Sequence, residues 1–143
     1  MPSRGRDRKR SRAASSSAHR QALALRDGRV ELVYGTMGGE GQPQTQAALV
    51  TRILDLGMDV QAALDAPRWV YGRTWGAPTQ TVAVESRVPG AVVEGLRSRG
   101  HDVRVVAAWD DRMGHAHAIR VDLQTGTRYG GADLRGDGIA AGC

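Results

Sequence analysis

The order of apolar runs and turn signals predicts an α+β fold: a β-hairpin, two helices, a strand, a helix and three further strands. Three observations carry this. Ala22-Leu23-Ala24-Leu25 and Val30-Glu31-Leu32-Val33-Tyr34 flank Asp27-Gly28, a dipeptide that closes tight hairpins. Leu49, Val50, Ile53, Leu54 and Leu56 recur at helical spacing. Alternating runs after Gly100 are separated by the Gln124-Thr125-Gly126 turn.

Element by element, the hairpin leads into Gly35-Thr36-Met37-Gly38-Gly39-Glu40-Gly41, and a helix is expected over Thr45–Leu56, ended by Gly57. A short helix opens at Met58-Asp59 and runs through Leu64, stopping before Pro67, whose ring disfavours helical geometry in the residue preceding it. Thr81–Glu85 reads as a strand. Pro89 begins a third helix with Val92, Val93 and Leu96 inward and Arg97 and Arg99 at its negative end. Strands are expected over Asp102–Ala107, His115–Asp122 and Thr127–Tyr129.

Charge divides the chain. The whole carries +5, but Met1–Arg20 alone holds +6, leaving −1 for the remainder. A tail of Arg, Ser and Ala has too little apolar surface to offset its ordering entropy, so residues 1–20 are expected to be disordered and 21–143 to form the folded body. No aromatic is interleaved with the arginines and no reading module follows, so nucleic acid is not expected as a partner. No stretch has the length of a membrane span, and the charged start lacks the apolar run of a secretory signal. Cys143, the single cysteine, leaves no internal disulfide to consider.

The glycine loop is the main chemical signal. Glycine lets main-chain amides approach a ligand closely, and a helix start just downstream adds its own unpaired amides, so the loop suits an anion. It lacks the Gly-Lys-Ser/Thr ending of a nucleotide loop. The alternative is a strand-to-helix turn that needs glycine only for its dihedrals.

Beyond the loop, Leu54-Asp55-Leu56-Gly57-Met58-Asp59, Ala62–Trp69, Val84-Glu85-Ser86-Arg87, Leu96–His101, Gly114–Ile119 and Tyr129–Gly138 follow in order. From about Leu23 onward this collinear series resembles the carboxy-terminal part of the small subunit of γ-glutamyltransferases, also called γ-glutamyltranspeptidases. The resemblance implies an N-terminal-nucleophile hydrolase, with this chain forming a share of its four-layer αββα sandwich. Gly38 and Gly39 would bind substrate as the oxyanion hole, and a side chain at Gly39 would intrude on the oxyanion's space.

The family's attacking threonine is not recognisable in this sequence, so no catalytic nucleophile is assigned and the chain alone is expected to be inactive. Ser15-Ser16-Ser17 fall near the family's paired serines but read as part of the tail. The implied substrate is a γ-glutamyl amide such as glutathione, or a glutaryl amide, and the implied partner is the upstream or large-subunit sequence. Neither cofactor nor metal is implied, and family members occur in cytoplasm, periplasm or outside the cell. A truncated, non-catalytic paralogue serving as scaffold or binding protein is the alternative.

Other residues invite chemistry on paper. His115 and His117, two apart in a strand, face one side as metal ligands can, but without a third ligand they read as structural. Ser86, His101 and Asp102 supply the residue types of a triad. Arg68, Trp69, Tyr71 and Trp75 either line a cleft or form a half-buried aromatic loop. Arg135-Gly136-Asp137 spells an adhesion tripeptide within the family-like ending.

Overall fold

In the computed structural model, residues 20–142 are described; the expectations for the basic tail and for Cys143 lie outside them, apart from Arg20. β1 (Arg20–Arg26) and β2 (Arg29–Met37) form the expected hairpin, with Asp27 and Gly28 at φ 52° and 76°, the left-handed pair that a two-residue turn needs. β2 also pairs antiparallel with β6 (His115–Val121), and β6 with β7 (Arg128–Ala132). This four-stranded sheet has the order β1-β2-β6-β7.

A second sheet, ordered β3-β4-β5, joins β3 (Trp69–Tyr71), β4 (Val82–Glu85) and β5 (Val103–Val106). β4 runs antiparallel to β3 and parallel to β5. The strand β3 is not apparent in the sequence, where three residues after a proline read as loop. Its pairing is closed at Tyr71 by a side chain: the Gln44 amide donates to the Tyr71 carbonyl and accepts from the Tyr71 amide, both at 2.8 Å. A glutamine thus replaces a neighbouring strand at that position.

The helices differ from expectation in register more than in existence. α1 starts at Gln42 rather than Thr45, with Pro43 in its first turn, and runs to Val50. It continues as one π turn over Thr51–Asp55, with Leu56 N donating to Thr51 O at 2.9 Å. The extra residue in that turn rotates the face, and Leu56, expected inward, is 69% exposed. α2 (Val60–Asp65) is capped by Asp59, whose carboxylate accepts from Ala62 N at 3.0 Å. α3 (Gly90–Arg97) begins after Pro89 as expected.

Leu49 and Ile53, followed by Val60, Ala63 and Leu64, pack on Leu32, Ala116 and Ala118 of the larger sheet. Separately, α3 places Val93 on Val82, Val84 and Val103 of the smaller sheet. Helices therefore cover one face of each sheet, rather than forming a single helical layer.

The two sheets are joined by buried charge. Arg135 grips Glu85 at the end of β4 with two parallel bonds of 2.6 and 2.7 Å, and reaches Asp133 at 2.9 Å. Asp133 also pairs with Arg68 at 2.6 Å, and Arg87 donates to Glu85 at 2.7 Å while stacking 3.5 Å from the Trp109 ring centroid. The Arg135, Glu85 and Asp133 side chains are fully buried. Burial pushes both carboxyls up. For Glu85 the bonds from Arg135 and the Arg68 amide outweigh it, and for Asp133 the Arg68 charge and two backbone amides do, leaving both below their ordinary values. Burial presses Arg68 down to about 10 against the pull of Asp133, so it is still charged at neutral pH.

Two expectations follow. Leu49→Ala should cost about 2–5 kcal/mol in urea unfolding, whereas Ile139→Ala at an 85% exposed site should stay within about 0.5 kcal/mol. Because both carboxyls are depressed, their contribution is complete above the unfolded carboxylate range near about pH 4 and is lost as pH falls through the folded values. Stability should therefore fall steeply below about pH 4. Asp133→Asn should cost roughly 3–5 kcal/mol at neutral pH and flatten that acid limb; an equally steep limb in the variant would exclude Asp133 as its source.

Candidate functional site

The glycine loop lies where β2 leaves the larger sheet. Met37, its last strand residue, pairs with His115, so the chain exits against the start of β6 and turns at once into a 3-10 turn over Gly39–Gly41 and then α1. Gly38 and Gly39 have φ of 138° and 52°, values that side chains resist. The loop's own backbone bonds run from Gly41 N to Gly38 O and from Gln42 N to Gly39 O. Neither the Gly38 nor the Gly39 amide donates within the loop, and Gly39 is exposed. Gly38 itself is buried, and both residues stand at the positive end of α1.

Close packing fixes the loop from behind. A Cβ on Gly38 would sit 3.2 Å from Gly114 Cα, and one on Gly41 would lie 3.1 Å from both Thr74 Oγ1 and Val70 Cγ2. A Cβ on Gly39 would collide with the Thr74 carbonyl. The nearest obstruction to a side chain here is thus the protein's own 72–80 segment. Arg73 of the same segment makes a bidentate pair with Glu40, both bonds at 2.9 Å. Thr74 was not apparent from sequence, since a lone threonine in a Gly- and Pro-rich loop carries no signal.

Gly114 is held in turn. Its carbonyl accepts from Arg68 at 3.0 Å, and the Met113 carbonyl accepts from Arg68 at 3.3 Å and from the Thr45 hydroxyl at 3.1 Å. Arg68 is therefore a buried strut and does not line a cleft. Trp69, Tyr71 and Trp75 are about half exposed, at 45%, 50% and 54%, and none of these four residues lines either of two surface cavities. The larger, about 630 Å³ and lined by Arg26, Glu31, Asp59, Arg120 and Asp122, lies at the opposite end of β2 from the loop. The smaller, about 250 Å³, adjoins the loop and is lined by Gly35, Thr36, His115 and His117.

His115 and His117 thus share one face, as their spacing implies, with Gly136 packed on the first ring and Gly138 on the second. Among the described residues no group of three or more His, Cys, Asp or Glu is placed to hold a metal. The paper triad is taken apart by the fold. Ser86 follows the last residue of β4, where its amide bonds Val106 O, while Asp102 lies at the strand's other end, accepting from Thr81 and bonding Val82 N. The length of β4, roughly 13 Å at about 3.3 Å per residue, separates them. Arg135 is committed to the buried network, so the Arg-Gly-Asp tripeptide is not presented as a unit. Among the described residues no helix is long and apolar enough to cross a membrane.

With this geometry in place, comparison with known proteins is informative. A model of the gamma-glutamyltranspeptidase family matches residues 8–143. The chain is 50% identical over 121 residues to the glutathione hydrolase-like YwrD proenzyme of Bacillus subtilis (strain 168). It is 49% identical over 121 residues to the oxamate amidohydrolase proenzyme of Klebsiella pneumoniae. These matches take in 85% of this chain but only 23% and 22% of the two relatives, so the chain spans less than a quarter of their length.

Among solved structures, the cephalosporin acylase of Bacillus halodurans superposes with a TM-score of 0.73 at 34% identity, over 83% of this chain and 21% of that one. The gamma-glutamyltranspeptidase of Pseudomonas nitroreducens complexed with L-DON gives 0.72 at 24% identity, over 97% of this chain and 70% of that one, a likeness of fold. The α+β architecture is thus part of an N-terminal-nucleophile hydrolase sandwich. The chain belongs to the gamma-glutamyltranspeptidase family.

Proposed function

We infer that this chain supplies the oxyanion loop of a γ-glutamyltransferase or γ-glutamyl hydrolase. The substrate would be a γ-glutamyl amide such as glutathione, or a glutaryl amide, and the attacking threonine would come from sequence that these 143 residues do not include. The observation that carries this reading is the exit of β2: Gly38 and Gly39 leave two amides unused by the loop, beside a helix start, in a backbone shape locked from behind by Gly114 and Thr74. Donors held in advance act most strongly where charge develops, because no reorganisation is needed as the tetrahedral oxygen becomes negative. They lower the barrier for an attack that another group must make.

The names of the relatives support the chemistry, since a glutathione hydrolase-like proenzyme, an amidohydrolase and a cephalosporin acylase all suggest attack on an amide carbonyl. They differ in the compound named, so the family match by itself does not select the donor.

The purified 143-residue chain should release no product from a γ-glutamyl anilide; turnover abolished by an alanine substitution within this chain would overturn the assignment of the nucleophile elsewhere. In the catalytically complete protein, Gly39→Val should lower kcat by roughly 10²–10³ while the fold persists. The side chain would drive the loop off the Thr74 carbonyl and so misplace both amides. Near-normal kcat in a folded Gly39→Val protein would return the glycines to the role of turn formers.

A further inference from the structure

The Arg68–Asp133 pair reaches the glycine loop as well as joining the sheets. The Arg68 nitrogen that binds Asp133 also donates to the carbonyls of Met113 and Gly114, and Gly114 is the residue against which Gly38 is stacked. Asp133 is oriented by the Ala116 amide on one oxygen at 2.8 Å and by the amide and side chain of Arg135 on the other. The second Arg68 terminal nitrogen is fixed on the Leu64 carbonyl at 3.2 Å. A chain of contacts therefore runs from Asp133 through Arg68 and Gly114 to Gly38, in which each member is buried.

We propose that Arg68, held by Asp133, is a positioning residue for the glycine loop: through the Met113 and Gly114 carbonyls it sets the direction of the Gly38 and Gly39 amides without touching substrate. This rests on the oxyanion reading. The residue type matters because the guanidinium fork places one terminal nitrogen on Asp133 and the Met113 and Gly114 carbonyls and the other on the Leu64 carbonyl, a spread that the single nitrogen of lysine cannot cover. Arg87 provides the comparison, since it joins the same network at Glu85 but makes no bond to the start of β6. If buried charge served stability alone, changing either arginine would loosen the molecule in the same places.

The test uses the isotope-labelled 143-residue chain, with Arg68→Lys and Arg87→Lys compared by amide resonances. Arg68→Lys should displace the Gly38, Gly39 and Gly114 signals several-fold more than Arg87→Lys, with Val93 and Leu96 of α3 unmoved by either. Equal displacement by the two variants, or shifts spread evenly over both sheets, would overturn the proposal. Should Arg68→Lys fail to fold, Asp133→Asn takes its place with the same criteria.

In the catalytically complete protein, Arg68→Lys should lower kcat about 10²-fold, the scale of an ångström-sized misplacement, with KM little changed; a raised KM with normal kcat would contradict it. The resonance arm reads loop geometry alone, so its failure leaves the oxyanion assignment standing. Conversely, normal turnover in Gly39→Val would remove that assignment without altering the resonance result.

Discussion

Two carboxylates, Glu85 and Asp133, are each buried and each paired with more than one arginine, and this compensation is the constraint on which the arrangement of both sheets depends. A buried charge without partners is so costly that the elements carrying it have little freedom to move apart. Glu85 ends the central strand of the smaller sheet, Asp133 follows the last strand of the larger one, and Arg135 binds both. The helix-covered apolar clusters on the two sheets are separate, and these polar contacts join the sheets beside a small apolar cluster of Val70, Ala83 and Met113. Such a junction fixes direction as well as distance, which greasy packing alone does poorly.

The glycine loop benefits from that fixity. Its backbone is pressed against Gly114 on one side and the Thr74 carbonyl on another; Gly114 is tied to Arg68, Thr74 to Arg112, and Arg73, next to Thr74, to Glu40. A loop with three glycines in four residues would otherwise sample many shapes. On the proposed reading, such rigid support from behind is what preorganised stabilisation of a developing negative charge requires. Membership of the gamma-glutamyltranspeptidase family gives the arrangement its context, and the chain spans less than a quarter of the length of the relatives it matches.

The hairpin, the long helix and the last strands were legible because their signals are local: Asp27-Gly28, the spacing of Leu49 and Ile53, and the Gln124-Thr125-Gly126 turn each specify their own geometry. β3 was not legible. Its three residues gain a strand's bonding only from β4 and from Gln44, 27 residues away, and no local pattern encodes either partner. The rotation that exposes Leu56 follows from a single π turn, which helical periodicity does not reveal. At the site, the glycines were visible as glycines, but their supports were not. Arg68 read as part of a cleft lining or a half-buried loop because charge is ordinarily not fully buried, and its burial is intelligible only with Asp133 across 65 positions of sequence. Ser86 and Asp102 show the converse, since residue types alone suggested a triad that one strand length forbids.

The central claim is that Gly38 and Gly39 meet the oxygen that becomes negative. It is tested most directly by a crystal structure of the catalytically complete protein carrying a tetrahedral adduct of a γ-glutamyl-type electrophile. The account predicts the two amide nitrogens at about 2.7–3.1 Å from the adduct oxygen, the distance of working oxyanion donors, with Thr74 and Gly114 unmoved behind them. An oxygen directed away from the loop, bound by other donors or by water while both amides stay unengaged, would contradict it.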